Sequence, residues 1–374
     1  MLYVIITYLF FPVLSFLTSA RKKKTVSKIL VIQTAKIGDL VCSTPVMREV
    51  KKKYPQARLT MIVNPVTKEL VEVNPNVDEI IVLKIEDFKG LAGKLKLSSL
   101  IRRGRYDIAI CLNPNVPFSV ALLWGLVPVR ISVKPNFSGL TFKLASLFFT
   151  YLEKHDRGRL ITETYLQMLR SIGIESYNIS KEAYASEGSD VIAGNLVGGT
   201  ERPLVGIAIS SANKLKELEK EMIAKLTNML LEELPVSVVF IGSSHDKETS
   251  DSILRCIEKK SGVINTTGAL RLKELPALLR RLSLFIGVDT GTVYMADALS
   301  VPIVHLAGPI DTSEQRPVGK KVEIIQAKLP CVPCTYVYKT VTQCRIGSRE
   351  CLRCVNIQDI VGITKKLLAA SRFS

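Results

Sequence analysis

The sequence predicts an α/β protein of two Rossmann-like parallel-sheet domains facing a cleft, preceded by an N-terminal apolar membrane anchor. Three observations carry this expectation. Short, near-continuous Val/Ile/Leu runs alternate with longer amphipathic stretches, twice over, as buried parallel strands and their crossover helices do. A run rich in Gly, Ser, Asn and Thr at 187–203 separates the two series. Residues 1–20 hold no charged side chain, and Arg21-Lys22-Lys23-Lys24 follows at once.

The elements follow in order. About 20 apolar residues suffice to cross a bilayer core. A secretory signal would carry its basic residues ahead of the apolar stretch, whereas here they lie behind it. The positive-inside rule then places Arg21 to Lys24 and the chain beyond in the cytoplasm. Pro12 falls mid-segment, so a re-entrant or half-inserted anchor competes with a full span. Strands are expected at 28–33, 58–63, 79–83 and 107–112, with helices such as 45–53 and 66–73 between them. The second series places strands at 204–209, 236–241, 284–288 and 302–306, and helices at 217–231 and 247–257. The expected division is an anchor with its basic flank (1–24), a first domain (25–186), a linker (187–203), a second domain (204–328) and a Cys-rich segment with a terminal helix (329–374).

Composition narrows the partners. Among 374 residues, 51 Lys and Arg stand against 34 Asp and Glu, a net charge of +17, with 47% hydrophobic residues and a mean hydropathy of +0.23. A disordered chain, a collagen-like chain and a small disulfide scaffold are excluded. The positive charge favours an anionic partner: a membrane surface, a nucleic acid or a phosphorylated substrate. With one Trp and no reader motif, nucleic acid is not expected as a partner.

Ligands of open α/β sheets bind beyond the carboxyl ends of the strands, so the residues there are the candidates. Thr34-Ala35-Lys36-Ile37-Gly38-Asp39 follows the first strand. Asp39 reads either as a carboxylate at the mouth of a site or as a helix cap. The absence of G-x-G-x-x-G disfavours a nicotinamide cofactor. Asp289-Thr290-Gly291-Thr292 opens a helix after another strand, where a glycine, two hydroxyls and free helix N–H groups suit a diphosphate. Ser210-Ser211-Ala212-Asn213-Lys214-Leu215-Lys216 offers lysines that could neutralise a departing phosphate, or a solvated face.

Five of the eight cysteines fall between Cys331 and Cys354. Cys331-x2-Cys334 and Cys351-x2-Cys354 have the spacing of a four-thiolate structural zinc knuckle. A metal-free reduced cluster packed beneath the tail is the other reading. Cys42, Cys111 and Cys256 read as core. His155, His245 and His305 show no mutual ligand spacing and read as structural or solvated.

Taken together, these segments resemble the lipopolysaccharide heptosyltransferases. The resemblance is carried by 30–45 with Gly38-Asp39 and Pro45, by Tyr54-Pro55 and Asn74-Pro75-Asn76-Val77-Asp78, by 211–218, by 287–309 ending Ala307-Gly308-Pro309, and by Arg316-Pro317. It implies the GT-B type of fold, with 25–186 as acceptor domain and 204–328 as nucleotide-sugar domain. It implies an inverting, metal-independent sugar transfer with no catalytic cofactor. Asp39 falls on the catalytic base, beside Lys36 and Gly38 in the acceptor-side loop. Lys216 falls on the phosphate-binding lysine, with Lys214 a close competitor. Ser211, Asp246, Asp289, Thr290, Gly291 and Thr292 fall on donor-binding positions. Members of the family often carry a similar carboxy-terminal cysteine pattern. One departure is Tyr294, where the family commonly has histidine; tyrosine donates a hydrogen bond but is no cation near neutral pH.

The resemblance implies a donor of the ADP-heptose kind, an anionic lipid-linked core saccharide as acceptor, and a place at the cytoplasmic face of the bacterial inner membrane, anchored or peripheral. Two alternatives stand beside it. One is a GT-B transferase using another nucleotide sugar such as a UDP-N-acetylhexosamine. The other is a non-catalytic nucleotide-sugar-binding protein of envelope assembly.

Overall fold

The computed structural model describes residues 2–371. It divides into two compact units between Ile179 and Ser180. The first begins with α1 (Leu2–Ala20), then β1 (Lys28–Gln33), α2 (Ile37–Lys53), β2 (Arg58–Val63), α3 (Lys68–Glu72) and β3 (Glu79–Val82). It continues through α4 (Gly90–Gly104), β4 (Ile108–Cys111), α5 (Val116–Trp124), β5 (Val129–Lys134), α6 (Leu140–Ala145), β6 (Tyr151–Lys154) and α7 (Ile161–Met168). All pairings are parallel, in the order β3-β2-β1-β4-β5-β6, with Ile32 opposite both Ile62 and Cys111. Chain order therefore reverses between β1 and β4, the switch point where ligands of such sheets bind.

The second unit repeats this plan. It comprises α8 (Ser189–Val197), β7 (Leu204–Ala208), α9 (Lys220–Glu233), β8 (Ser237–Ile241), α10 (Lys247–Arg255), β9 (Val263–Asn265) and α11 (Leu275–Leu279). There follow β10 (Leu284–Val288), α12 (Gly291–Ala298), β11 (Ile303–Leu306), β12 (Val322–Ile325), α13 (Glu350–Arg353) and α14 (Ile357–Ser371). Its parallel sheet runs β12-β11-β10-β7-β8-β9, with the switch point between β7 and β10. The two parallel-sheet α/β units expected from the sequence are what the chain adopts.

Each sheet is buried because its strands are continuously apolar. In the first unit Leu30, Ile32 and Ala109 pack with Leu97 and Ile101 of α4 and Leu122 of α5. In the second, Val205, Val238, Phe240 and Ile286 pack with Ile223, Leu226 and Leu230 of α9, and with Ile360, Val361 and Leu367 of α14.

The structure corrects the expected boundaries. Residues 187–203 are not a linker: they contain α8, whose Ala193 and Val197 are buried, and the second unit already begins at Ser180. Ser and Asp near its start and Gly198 at its end are ordinary helix-terminal residues, whose composition is also that of a loop. The tail from 329 is not separate either, since α14 closes the second core. The chain also forms four strands that the apolar runs do not announce. β6, β9 and β12 are edge strands with exposed positions. β5 carries a buried Arg130, made tolerable by donating to the Phe148 carbonyl at 2.7 Å.

Helix α2 starts eight residues earlier than expected and runs through Pro45. Proline cannot donate to the carbonyl four residues back. That carbonyl belongs to Val41, and the Thr44 hydroxyl donates to it at 2.7 Å.

Candidate active site

In the first unit the loop after β1 is held by amide side chains at strand ends. Gln33 Oε1 accepts from the Ala35 N–H at 3.2 Å. Asn64, after β2, donates to the Thr34 and Ala35 carbonyls. Asn113, after β4, donates to the Thr34 hydroxyl at 3.1 Å. These three amides fix the approach to α2, and no sequence motif singled them out. Lys36 is exposed, and Gly38 is already helical in the first turn of α2 rather than part of the loop. Asp39, half-buried, accepts the Lys36 N–H on Oδ2 at 3.2 Å. It therefore does cap the helix, the plain reading of its position. A cap of this kind also fixes the carboxylate's direction at the β1–β4 switch point.

In the second unit two loops meet at the β7–β10 switch point. Lys216 ends a short turn after β7, and its ammonium pairs with Asp289 Oδ2 after β10. Tyr294, buried in α12, donates its hydroxyl to Asp289 Oδ1. Burial works to raise the Asp289 carboxyl; the Lys216 charge, His305 and the hydrogen bonds from Lys216 and Tyr294 outweigh it and hold the group below the usual carboxylate range. Tyr294 thus supports Asp289 through its hydroxyl. His305 on β11 is fully buried, and its burial pushes the imidazole down to about 4, so it is neutral at pH 7. Neither of its ring nitrogens has a hydrogen-bond partner among the described residues.

The first N–H groups of α12 have no acceptors within the helix, and Thr290 and Thr292 bond to each other at 2.7 Å beside Gly291. A lysine, two hydroxyls and a helix N-terminus at one strand end form a seat for an anionic group. The other candidates divide. Lys214 is largely exposed and pairs with Glu217 at 2.8 Å, as a solvated face does, so Lys216 is the lysine brought to Asp289. The buried Ser211 hydroxyl accepts the Asn213 N–H at 3.3 Å. Asn213 in turn accepts from Leu215 and donates to the Val341 carbonyl, shaping the lysine turn. Asp246, after β8, accepts from both the N–H and the hydroxyl of Ser243, at 2.7 and 2.6 Å, closing its own loop.

Behind α12 lies a pair the sequence did not advertise. Lys181 and Asp297 form a salt bridge at 2.7 Å with both side chains 2% exposed. Asp297 also accepts the Val318 and Gly319 N–H groups, tying α12 to the loop after Arg316-Pro317. The Lys181 ammonium lies 5.8 Å from the centre of the Tyr294 ring, so it backs the ring whose hydroxyl holds Asp289.

Four of the five cysteines of the tail neighbour one another, Cys331, Cys334 and Cys344 standing near Cys351. Among the described residues no group of three or more His, Cys, Asp or Glu is arranged to hold a metal ion. Cys351 is buried in the second core, and burial, with the neighbouring Cys334, Cys331 and Cys344, pushes its thiol up to about 11. Cys354 is exposed and its thiol donates to the Glu350 carbonyl. Cys331 and Cys334 of the expected set thus stand near Cys351, while Cys354 lies at the surface. The segment is seated by Leu352 against Gly308, where a Cβ would come within 3.0 Å of the leucine and the φ of +55° would strain any other residue.

Two parallel six-stranded sheets of the same order, each with its candidate residues at the switch point, make the GT-B-like architecture of glycosyltransferases. Within that class the chain belongs to glycosyltransferase family 9, the heptosyltransferases, whose family pattern matches residues 94–344. It is 27% identical over 286 residues to lipopolysaccharide heptosyltransferase 3 of Escherichia coli K12, covering 75% of this chain and 82% of that one. The fold is similar to that of E. coli ADP-heptose LPS heptosyltransferase II, with a TM-score of 0.73 at 22% identity over 92% of this chain and 99% of that one. It is also similar to E. coli heptosyltransferase WaaC solved with ADP-2-deoxy-2-fluoro heptose, with a TM-score of 0.63 at 15% identity over 90% and 99%.

Proposed function

We propose that this protein transfers a heptose from ADP-heptose to a lipid-linked lipopolysaccharide core saccharide at the cytoplasmic face of the inner membrane, inverting the anomeric centre. The observation that carries this reading is the Lys216 ammonium brought to Asp289 beside the N-terminus of α12. Lys216 and the N–H groups around Gly291 meet the donor diphosphate and hold its charge as it leaves. Asp39 takes the proton of the acceptor hydroxyl while that oxygen bonds to the anomeric carbon, opposite the breaking carbon–phosphate-oxygen bond. ADP departs and the proton stays on Asp39. Charge on the leaving group is met by protein groups, so the step is assigned no metal. The cysteine segment enters no step and covers the second core.

Tyr294 favours a second reading. Its hydroxyl is engaged by Asp289 and it supplies no cation to the donor, so a different nucleotide sugar is the alternative donor. Purified protein with a panel of nucleotide sugars and intact or deacylated core acceptor separates the two. Transfer from ADP-heptose, retained in EDTA and giving the inverted anomer, is expected. Transfer from a UDP-sugar alone would replace the donor, and activity abolished by EDTA and restored by a divalent ion would overturn the metal-free step.

A further inference from the structure

We propose that α1 lies flat in one leaflet of an anionic bilayer as part of a three-helix lipid-binding face, and does not cross the membrane. This deepens the placement at the membrane proposed above and stands independently of transfer activity. The helix has two apolar stripes. The inner one, Val4, Thr7, Leu14 and Thr18, is buried against the first unit, where Val4 and Leu14 join a cluster with Val120, Leu123 and Phe148. The outer one, Leu2, Ile5, Leu9, Val13 and Phe16, recurs every three or four residues and is 53–75% exposed throughout.

The inner face is fixed by polar bonds along its length, which a helix standing off into a bilayer would forgo. The Trp124 indole N–H donates to Thr7 Oγ1 at 3.0 Å. The Tyr8 hydroxyl donates to the Leu144 carbonyl at 2.7 Å. At one end Lys94 of α4 lies 4.7 Å over the Tyr3 ring. At the other, Arg21 donates to the Leu126 carbonyl at 3.1 Å, and Lys23 reaches Asp107 at 3.3 Å.

The outward surface continues past α1. Leu91 and Leu95 of α4 flank Lys94 and are 54% and 56% exposed. Leu140 and Leu147 lie either side of Leu144 and are 65% and 63% exposed. Such a contiguous apolar face on a folded unit needs an occupant, and the charge around it identifies one. Residues 1–38, 89–106 and 108–152 contain no Asp or Glu, while they carry Arg21 to Lys24, Lys94, Lys96, Arg102, Arg103 and Lys143. Apolar side chains with a predominantly cationic rim, in which Asp107 is paired with Lys23, suit an anionic headgroup layer and the acyl boundary beneath it.

The test uses the full chain with vesicles of phosphatidylglycerol and phosphatidylethanolamine, beside vesicles of phosphatidylcholine alone. Binding should favour the anionic vesicles and persist in part at high salt. Leu9→Glu and Phe16→Glu should each weaken partitioning by about tenfold or more with an unchanged Tm, because these side chains are 75% and 73% exposed. Wild-type partitioning by both variants would overturn the proposal, as would loss of a dimer in place of loss of vesicle binding. A protease-cleavable tag at the N-terminus should be cut in inside-out inner-membrane vesicles and protected in spheroplasts. Cleavage in spheroplasts would show a spanning helix and overturn the in-plane placement.

Discussion

Lys216 and Asp289 join the two loops that flank the switch point of the second sheet, one after β7 and one after β10. Asp289 is also held by the buried Tyr294, so both of its carboxylate oxygens are engaged. Under the proposed function, the donor diphosphate would find the ammonium already placed.

Replacing Lys216 by Ala should lower kcat/KM by about 10²- to 10³-fold, with donor affinity and turnover both falling. Lys216→Arg should restore binding better than rate, because a planar fork cannot place its charge as a compact ammonium does. Lys214→Ala, which removes an exposed partner of Glu217, should stay within about twofold of wild type. Steady-state kinetics against donor concentration decide this; equal losses at both lysines would return the phosphate contact to an undecided residue.

Asp39→Asn keeps an oxygen to accept the Lys36 N–H, so the cap and the melting temperature should survive. The proton acceptor is lost, and kcat should fall by about 10²- to 10⁴-fold with donor binding unchanged. Near wild-type turnover in the Asn form would leave Asp39 as a cap alone.

The Asp289 carboxyl is held below its usual range. Its contribution to stability is therefore complete above the unfolded value, about pH 4, and is lost as pH falls through the lower folded value. The Tm gap between wild type and Asp289→Asn should be full at pH 7 and narrow on acidification below about pH 4. A gap that stays constant down to pH 3 would show that Asp289 is not the group titrating.

The buried Lys181–Asp297 pair gives a stability test. Lys181→Met leaves a buried carboxylate with only two backbone donors and should cost about 3–5 kcal/mol in denaturant unfolding. Adding Asp297→Asn should recover part of that loss, since the amide oxygen still accepts from Val318 and Gly319. Additive losses in the double variant would contradict a direct pair.

The cysteines separate cleanly in the same assay. Cys351→Ser places a hydroxyl in the second core and should cost about 1–3 kcal/mol. Cys354→Ser, at the surface, should stay within about 0.5 kcal/mol. Equal losses at both, with metal in the purified protein, would establish the zinc knuckle.

Much of this was legible because central parallel strands are continuous apolar runs and their carboxyl ends are where function gathers. Asp39, Lys216 and Asp289 all follow from that rule. Three of the four edge strands, β6, β9 and β12, were not legible, since an edge needs neither length nor unbroken hydrophobicity. Gln33, Asn64 and Asn113 escaped for a different reason: each is an isolated polar residue at a strand end, and only folding brings their amides to one loop. Lys181 and Asp297 lie 116 positions apart, and no local pattern marks either as buried. The start of α2 was masked by Pro45, a residue that argues against a helix interior until Thr44 is seen to take the orphaned carbonyl.

The position of Lys181 sets where this protein can be recombined with its relatives. It sits just past the division at Ser180 and before the glycine-rich stretch that invites a crossover. A chimera joined at 187–203 would draw Lys181 from one parent and Asp297 from the other, and would separate α8 from the helices it evolved against. Joined at 179/180, the exchanged piece carries its own lysine, its own aspartate and the Tyr294 ring beside them, so the buried pair moves as one cassette.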